Sequence, residues 1–140
     1  MQISSAKESD RDEVIALWEA CGLTRPWNDP SADYNLALAN ETSAILLAHI
    51  EGELAASVLT GFDGHRGWVY YLAVAPDVQK QGLGRKMMAA AEQWLRDRHA
   101  PKIQLMVRDD NEAAIGFYKA LDYEQQPVMT IGKRLDSGIS

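Results

Sequence analysis

Residues Gln79-Lys80-Gln81-Gly82-Leu83-Gly84 set two glycines one residue apart in a polar loop. The loop follows an apolar stretch, Tyr70 to Val74, and opens an amphipathic run that reaches to about Arg98. The stretch predicts a buried strand and the run a helix, so the loop is a strand-to-helix turn. Successive backbone N–H groups in such a turn, with the first unsatisfied amides of the helix, form a cradle of partial positive charge suited to a pyrophosphate. Glycine at 82 and 84 lets the main chain approach an anion with no Cβ in the way. A G-x-G pair arises by chance at roughly one position in two hundred, and a strand-to-helix turn without a ligand uses the same residues, so the flanking sequence decides.

Two other glycine loops fail on named residues. A Walker loop needs Gly-Lys-Ser or Gly-Lys-Thr, where this chain has Gly84-Arg85-Lys86. A dinucleotide fingerprint needs a third glycine where Met87 stands. Arg108, Asp109 and Asp110, after the next predicted strand, Lys102 to Val107, supply acid but not that glycine.

Downstream, Asn111 to Tyr123 reads as a helix started by an Asn cap, with Ile115, Tyr118 and Leu121 on one stripe. A Q-x-x-G-x-G loop and helix, then a strand, then N-x-x-A-x-x-x-Y resembles the GNAT superfamily of N-acetyltransferases, over nearly the whole chain. Arg25-Pro26-Trp27-Asn28-Asp29-Pro30, Asp63-Gly64-His65-Arg66-Gly67 and Gly132-Lys133-Arg134-Leu135 are similar to the small bacterial acetyltransferases of the YpeA type. The resemblance implies acetyl-CoA as cosubstrate. It implies that Gln79, Lys80, Gln81, Gly82, Leu83 and Gly84 meet the pyrophosphate, with Arg85 or Lys86 assisting from the side. It also implies that Leu72, Ala73 and Val74 hydrogen-bond the pantetheine arm through the backbone, where their strand splays from Lys102 to Val107. Asn111 matches a position that contacts the arm, and Tyr118 the acid that protonates the departing thiolate. Where the family commonly has glycine, just past the helix, this chain has Asp122. That position favours a left-handed backbone, which aspartate adopts at some cost, so a variant cap is expected.

Amine acetylation also asks for a way to hold the acceptor nitrogen neutral, since a lysine-type amine has a pKa near 10.4. Trp68 to Val74 contains no Asp, Glu or His. The base is therefore left among Asp29, Asp63, His65 and an ordered water. Each residue has a structural explanation of its own: helix capping for Asp29, turn chemistry for Asp63, solvent exposure for His65. Trp27, Tyr70 and Tyr71 are candidate walls of the acceptor site, and strand alternation allows at most one of the two tyrosines to face it. For Tyr118 the structural alternative is a core position between Ile115 and Leu121.

The elements that must position these residues follow from pattern. A short strand is expected around Gln2 to Ala6 and a helix from Ser9-Asp10 to Cys21, ended by Gly22. A second helix starts at Asp29-Pro30 and runs to about Ala39. Strands Ala44 to Ile50 and Leu54 to Phe62 join at Glu51-Gly52-Glu53, and Asp63-Gly64 leads into the strand Trp68 to Val74. The glycine-loop helix is expected to bury Leu83, Met87, Ala91, Trp94, Leu95 and Met88. The tail, Tyr123 to Leu135, is expected to add one or two strands broken at Pro127. The fold class is α/β of the mixed kind: a mostly antiparallel sheet of six to seven strands with helices on both faces.

At 140 residues and 46% hydrophobic content the chain is expected to be one domain, residues 1–140. Its one cysteine, Cys21, continues the apolar stripe Val14, Leu17, Trp18, so a packed, inert thiol is expected and direct transfer is favoured over an acyl-cysteine route. His49, His65 and His99 lack ligand spacing, so no metal site is expected. No signal-like segment or long apolar run is present, which predicts a cytoplasmic protein without membrane contact. A net charge of -6 argues against nucleic-acid binding and mildly favours a cationic acceptor, with Lys80, Arg85 and Lys86 as the local basic exception. The acceptor itself, a small-molecule or peptide amine, is left open, and a homodimer is an expectation from the resemblance. Two readings compete with the enzyme: a non-catalytic acyl-CoA-binding module, suggested by the missing strand carboxylate, and a protein-interaction domain that keeps only the fold.

Overall fold

Apolar residues line both faces of Ser43–Ile50 (β2) and Glu53–Phe62 (β3), and these two strands form the centre of the sheet. They are joined by Glu51 and Gly52 at φ 51° and 82°, the pair of positive values that a type I′ hairpin turn requires. In this computed structural model residues 2–136 are described. Gln2–Ser5 (β1) pairs antiparallel with β2, Gly67–Val74 (β4) antiparallel with β3, and Ile103–Leu105 (β5) parallel with β4. The order is β1-β2-β3-β4-β5, a mixed and mostly antiparallel sheet of five strands. The expected six to seven strands are corrected by the tail, where the described residues from 123 onward form no strand. Pro127 and Gly132 leave Val128–Ile131 as the longest strand-prone piece, and Val128, Met129 and Ile131 are exposed. The last strand is also shorter than Lys102 to Val107.

The chain divides into two compact units between Leu105 and Met106. In the first, Arg11–Ala20 (α1) follows a 3-10 turn at Glu8–Asp10 and stops at Gly22, φ 69°. Pro30–Ala39 (α2) is capped by Asp29, which accepts from the amides of Ser31 and Ala32 at 3.0 and 3.2 Å. Val14, Leu17 and Trp18 of α1 and Tyr34 and Ala37 of α2 share one buried cluster with Ile45, Leu47 and Ala73. Leu46 and Ala48, alternating with Ile45 and Leu47, are buried on the opposite face. There Leu83–Asp97 (α3) packs on β2, β3 and β4 and buries Leu83, Met87, Met88, Ala91 and Leu95. Trp94, expected among them, is only half-buried, and the Arg98 guanidinium covers its ring 3.6 Å from the centroid.

The second unit holds Glu112–Ala120 (α4). Asn111 caps it as expected, its Oδ1 accepting from the Ala114 amide at 3.1 Å, and Asp122 takes the left-handed conformation at φ 68°. No residue of α4 is fully buried, and Ile115, Tyr118 and Leu121 are half-buried. Among the described residues no helix is long and apolar enough to cross a membrane.

The start of β4 is set by close contact with α3. A Cβ on buried Gly67 would lie 2.5 Å from Leu95 Cδ1 and 2.6 Å from Cδ2. Gly67→Ala is therefore expected to cost about 1–3 kcal/mol by overpacking, read as a lower denaturant midpoint. An unchanged midpoint would show that Leu95 repacks freely.

Candidate active site

β4 carries two different edges along its length. Gly67, Trp68 and Val69 pair with Ile103, Gln104 and Leu105 of β5. Beyond Val69 the same side of the strand, Tyr70 to Val74, has no strand partner among the described residues. The change coincides with a β-bulge against β3. Ser57 pairs with Ala73 and Leu59 with Tyr70, so Val58 alone stands opposite Tyr71 and Leu72.

Tyr71 takes the strain of that bulge at φ 53°, a left-handed conformation that costs a non-glycine residue roughly 1–2 kcal/mol. Its ring stacks on Trp18 at 3.9 Å between centroids and 10° between planes. Its hydroxyl donates to Asp33 Oδ2 at 2.6 Å. Trp18 is fixed in turn by its indole N–H, which donates to Ser57 Oγ at 3.3 Å. Burial first, then the Asp33 carboxylate, pushes the Tyr71 pKa up, so the hydroxyl stays a donor. Tyr70, by contrast, is exposed.

From Val74 a 3-10 turn, Pro76–Val78, leads into the glycine loop. Gln79 Nε2 donates to the Val74 carbonyl at 3.1 Å and ties the loop to the strand end. Lys80 and Gly82 both have positive φ, 66° and 80°. Two left-handed residues in one tight turn are the kind of backbone from which an anion-binding concavity of N–H groups can form. Gly82 is the N-cap of α3 with no side-chain cap, so the amides of Leu83, Gly84 and Arg85 have no partner within the helix. A Cβ at Gly82 would meet nothing within 4 Å. The Leu83 side chain is buried and pins the turn, while Lys80, Gln81, Arg85 and Lys86 are exposed.

The strand residues contribute unequally. Ala73 is 2% exposed, with its methyl in the core, and Leu72 is half-buried. The Val74 carbonyl already accepts from Gln79 and, at 3.2 Å, from Cys21 Sγ. The Cys21 thiol thus touches the strand expected to hold the pantetheine. Burial pushes its pKa up, which keeps it protonated and unreactive.

The base candidates are largely engaged. Asp63 accepts from the amides of His65 and Arg66 at 2.8 and 2.7 Å and from the Trp68 indole at 3.2 Å. The Arg66 and His65 amides hold its carboxyl below the usual carboxylate range. Asp29 is occupied as a helix cap, and His65 is exposed. The carboxylate the sequence did not reveal is Asp33. Its only sequence cue is its place one turn after Asp29; its partner Tyr71 lies 38 residues on.

In the second unit, taken by itself, Tyr118 meets Phe117 and Tyr123 edge-on, with centroids 5.0 and 5.7 Å apart. Burial pushes its pKa up to about 12. Asn111 is exposed, and its carbonyl is used by the cap.

The sequence profile of the acetyltransferase (GNAT) family matches residues 11–123, and the chain belongs to that family. It is 45% identical to an acetyltransferase of Yersinia enterocolitica over 135 residues, 96% of each chain. Among solved structures it is similar to AAC(6')-Iy in complex with a CoA-linked bisubstrate analogue, with TM-score 0.81, 15% identity and coverage of 95% of this chain and 97% of the other. It is also similar to the ribosomal-protein-S18-alanine N-acetyltransferase of Escherichia coli, with TM-score 0.75, 27% identity and coverage of 86% and 75%. The chain is thus an acetyltransferase, and its cosubstrate is acetyl-CoA.

Replacing Gly82 tests the cradle. Gly82→Val is expected to weaken acetyl-CoA binding roughly tenfold or more, by straining a left-handed position and filling the open side of the turn. Titration calorimetry on the folded variant reads this, and unchanged affinity would reject the loop as the phosphate site.

Proposed function

We propose that this acetyltransferase passes the acetyl group directly from acetyl-CoA to a primary amine. In this reading the edge of β4 and the loop Gln79–Arg85 hold the cosubstrate, Asn111 contacts it, and Tyr118 serves as general acid. The observation that carries the proposal is the unpaired side of Tyr70–Val74, which leads directly into a loop of outward amides. A strand edge of this kind can take an amide-containing arm as an added strand, and the adjoining helix start suits its phosphates. Since the family match runs from residue 11 to residue 123, we take both units to serve one catalytic domain.

Acetyl-CoA supplies an activated thioester. The chain has to orient it, stabilise charge on the carbonyl oxygen and return a proton to sulfur. A free N–H on the bulged part of β4 would serve the oxygen. Tyr118, with its pKa near 12, remains protonated at neutral pH and has a proton to give. In the overall balance a C–N bond forms, the C–S bond breaks, sulfur gains a proton and the amine loses one. Asp29 and Asp63 are occupied, so ordered water is the best carrier of the amine proton. Direct transfer suits the Cys21 thiol, held as a protonated donor to Val74. An amine acceptor agrees with two structural neighbours, one bound to an acetylneamine-CoA analogue and one named for acetylating an alanine.

Titration of the folded protein with acetyl-CoA, beside CoA and NADH, is expected to show saturable binding selective for the CoA compounds; its absence would overturn the assignment. Tyr118→Phe is expected to lower kcat roughly 100-fold while leaving acetyl-CoA affinity within about twofold. Because the Tyr118 pKa is raised to about 12, its proton is lost only at strongly alkaline pH, so kcat should show no tyrosine-dependent fall between about pH 7 and 10. A kcat left unchanged by Tyr118→Phe would refute the role, whereas a fall in that window that Tyr118→Phe abolishes would keep the role and show the tyrosine titrating lower than its burial sets it.

A further inference from the structure

Asp33 lies in the first turn of α2, and its carboxylate accepts from the hydroxyl of Tyr71, the strained residue of the β4 bulge, at 2.6 Å. The tether is rigid at every link: Ser57 is buried and accepts from the Trp18 indole, Trp18 stacks on Tyr71, and Tyr71 donates to Asp33. The carboxylate is nevertheless only half-buried, and among the described residues just one of its oxygens meets a donor. An ionised carboxylate offers about four acceptor sites. The described ion pairs are Arg11 with Asp12, Arg96 with Glu92 and Arg134 with Asp136, so no Lys or Arg neutralises Asp33 among the described residues. A tyrosine held left-handed persists only where its surroundings over-determine it, and such strain gathers at ligand sites.

We propose that Asp33 binds a cationic group of the acceptor, an ammonium other than the attacking nitrogen, beside the unpaired edge of β4. Asp33 is then the specificity-determining residue for polycationic acceptors, and Tyr71 is its positioning residue. This rests on the assignment of β4 as the cofactor strand. The acidity of the whole chain attracts cations without orienting them, whereas a carboxylate held by the Tyr71 hydroxyl fixes where a bound charge would sit.

Spermidine is the probe, titrated calorimetrically into CoA-saturated protein at fixed low salt. Asp33→Asn keeps the shape and an oxygen for Tyr71 while removing the charge, and is expected to weaken spermidine binding at least about tenfold. Tyr71→Phe keeps the stack and is expected to weaken it roughly threefold, while Asp12→Asn, at a side chain 97% exposed, is expected to change it by less than about twofold. Acetyl-CoA affinity should be the same in the unmodified protein, Asp33→Asn and Asp12→Asn. The proposal is overturned if spermidine does not bind the unmodified protein, if Asp33→Asn loses no more than Asp12→Asn, or if Asp33→Asn loses acetyl-CoA affinity as well. A protein that binds spermidine through Asp33 but binds no acetyl-CoA would keep this cation site and reject the cofactor strand instead.

Discussion

The stack of Tyr71 on Trp18 is the contact on which the site depends. Without a bulge, β4 would alternate regularly from Gly67 to Val74. The bulge reverses that alternation after Tyr70 and coincides with the end of β5 pairing. Holding Tyr71 left-handed costs roughly 1–2 kcal/mol, an expense that local propensity cannot offset. A stacked aromatic pair contributes about 0.5–1.5 kcal/mol beyond its area burial, and a hydrogen bond to a charged group about 1.5–3 kcal/mol. Together these exceed the strain, so the core cluster of α1 and α2 is what holds the strand edge open.

The glycine loop depends on a different balance. Its amides are fixed by helix geometry, and Leu83 anchors the turn by burying its side chain. The exposed Lys80, Arg85 and Lys86 then add charge that salt screens within about 8–10 Å. The dipoles of the turn act at contact distance and are screened less. Orientation of a phosphate would thus come from the backbone, and the lysines and arginine would mainly raise the local concentration of an anion near an acidic protein.

Elements specified by neighbours in sequence were legible from the residues alone. The caps at Asp29 and Asn111, the Glu51-Gly52 turn and the helix opening at Gly82 are all decided within a few positions, while the left-handed Asp122 was expected from the family resemblance. The pairing of Asp33 with Tyr71 and of Cys21 with Val74 was not legible, because each depends on how α1 and α2 settle on the sheet. The alternation rule for Tyr70 and Tyr71 assumed a regular strand, and no residue near the bulge is a glycine that would have signalled positive φ. Strand propensity in the tail gave one or two strands too many, since a short apolar piece needs an edge to pair with before it counts as a strand. Trp94 was assigned to the core by periodicity, but its ring sits at the rim of the stripe under Arg98.

The electrostatics of the acceptor follow from the same placement. Neutral pH lies about 3.4 units below the pKa of a free lysine-type amine, so presenting it neutral costs roughly 4.6 kcal/mol. A carboxylate in contact with that nitrogen would stabilise its charged form and increase this cost. Asp33 therefore cannot assist by touching the attacking amine. It is useful only if it holds a second charge and leaves the reacting nitrogen away from acidic groups. The sequence of β4 agrees with that division, since Gly67–Val74 has no acidic side chain and Asp63, just before it, is tied up by backbone amides. For an amine acceptor, a strand with no acidic residue of its own then avoids a further rise in the cost of deprotonating the attacking nitrogen.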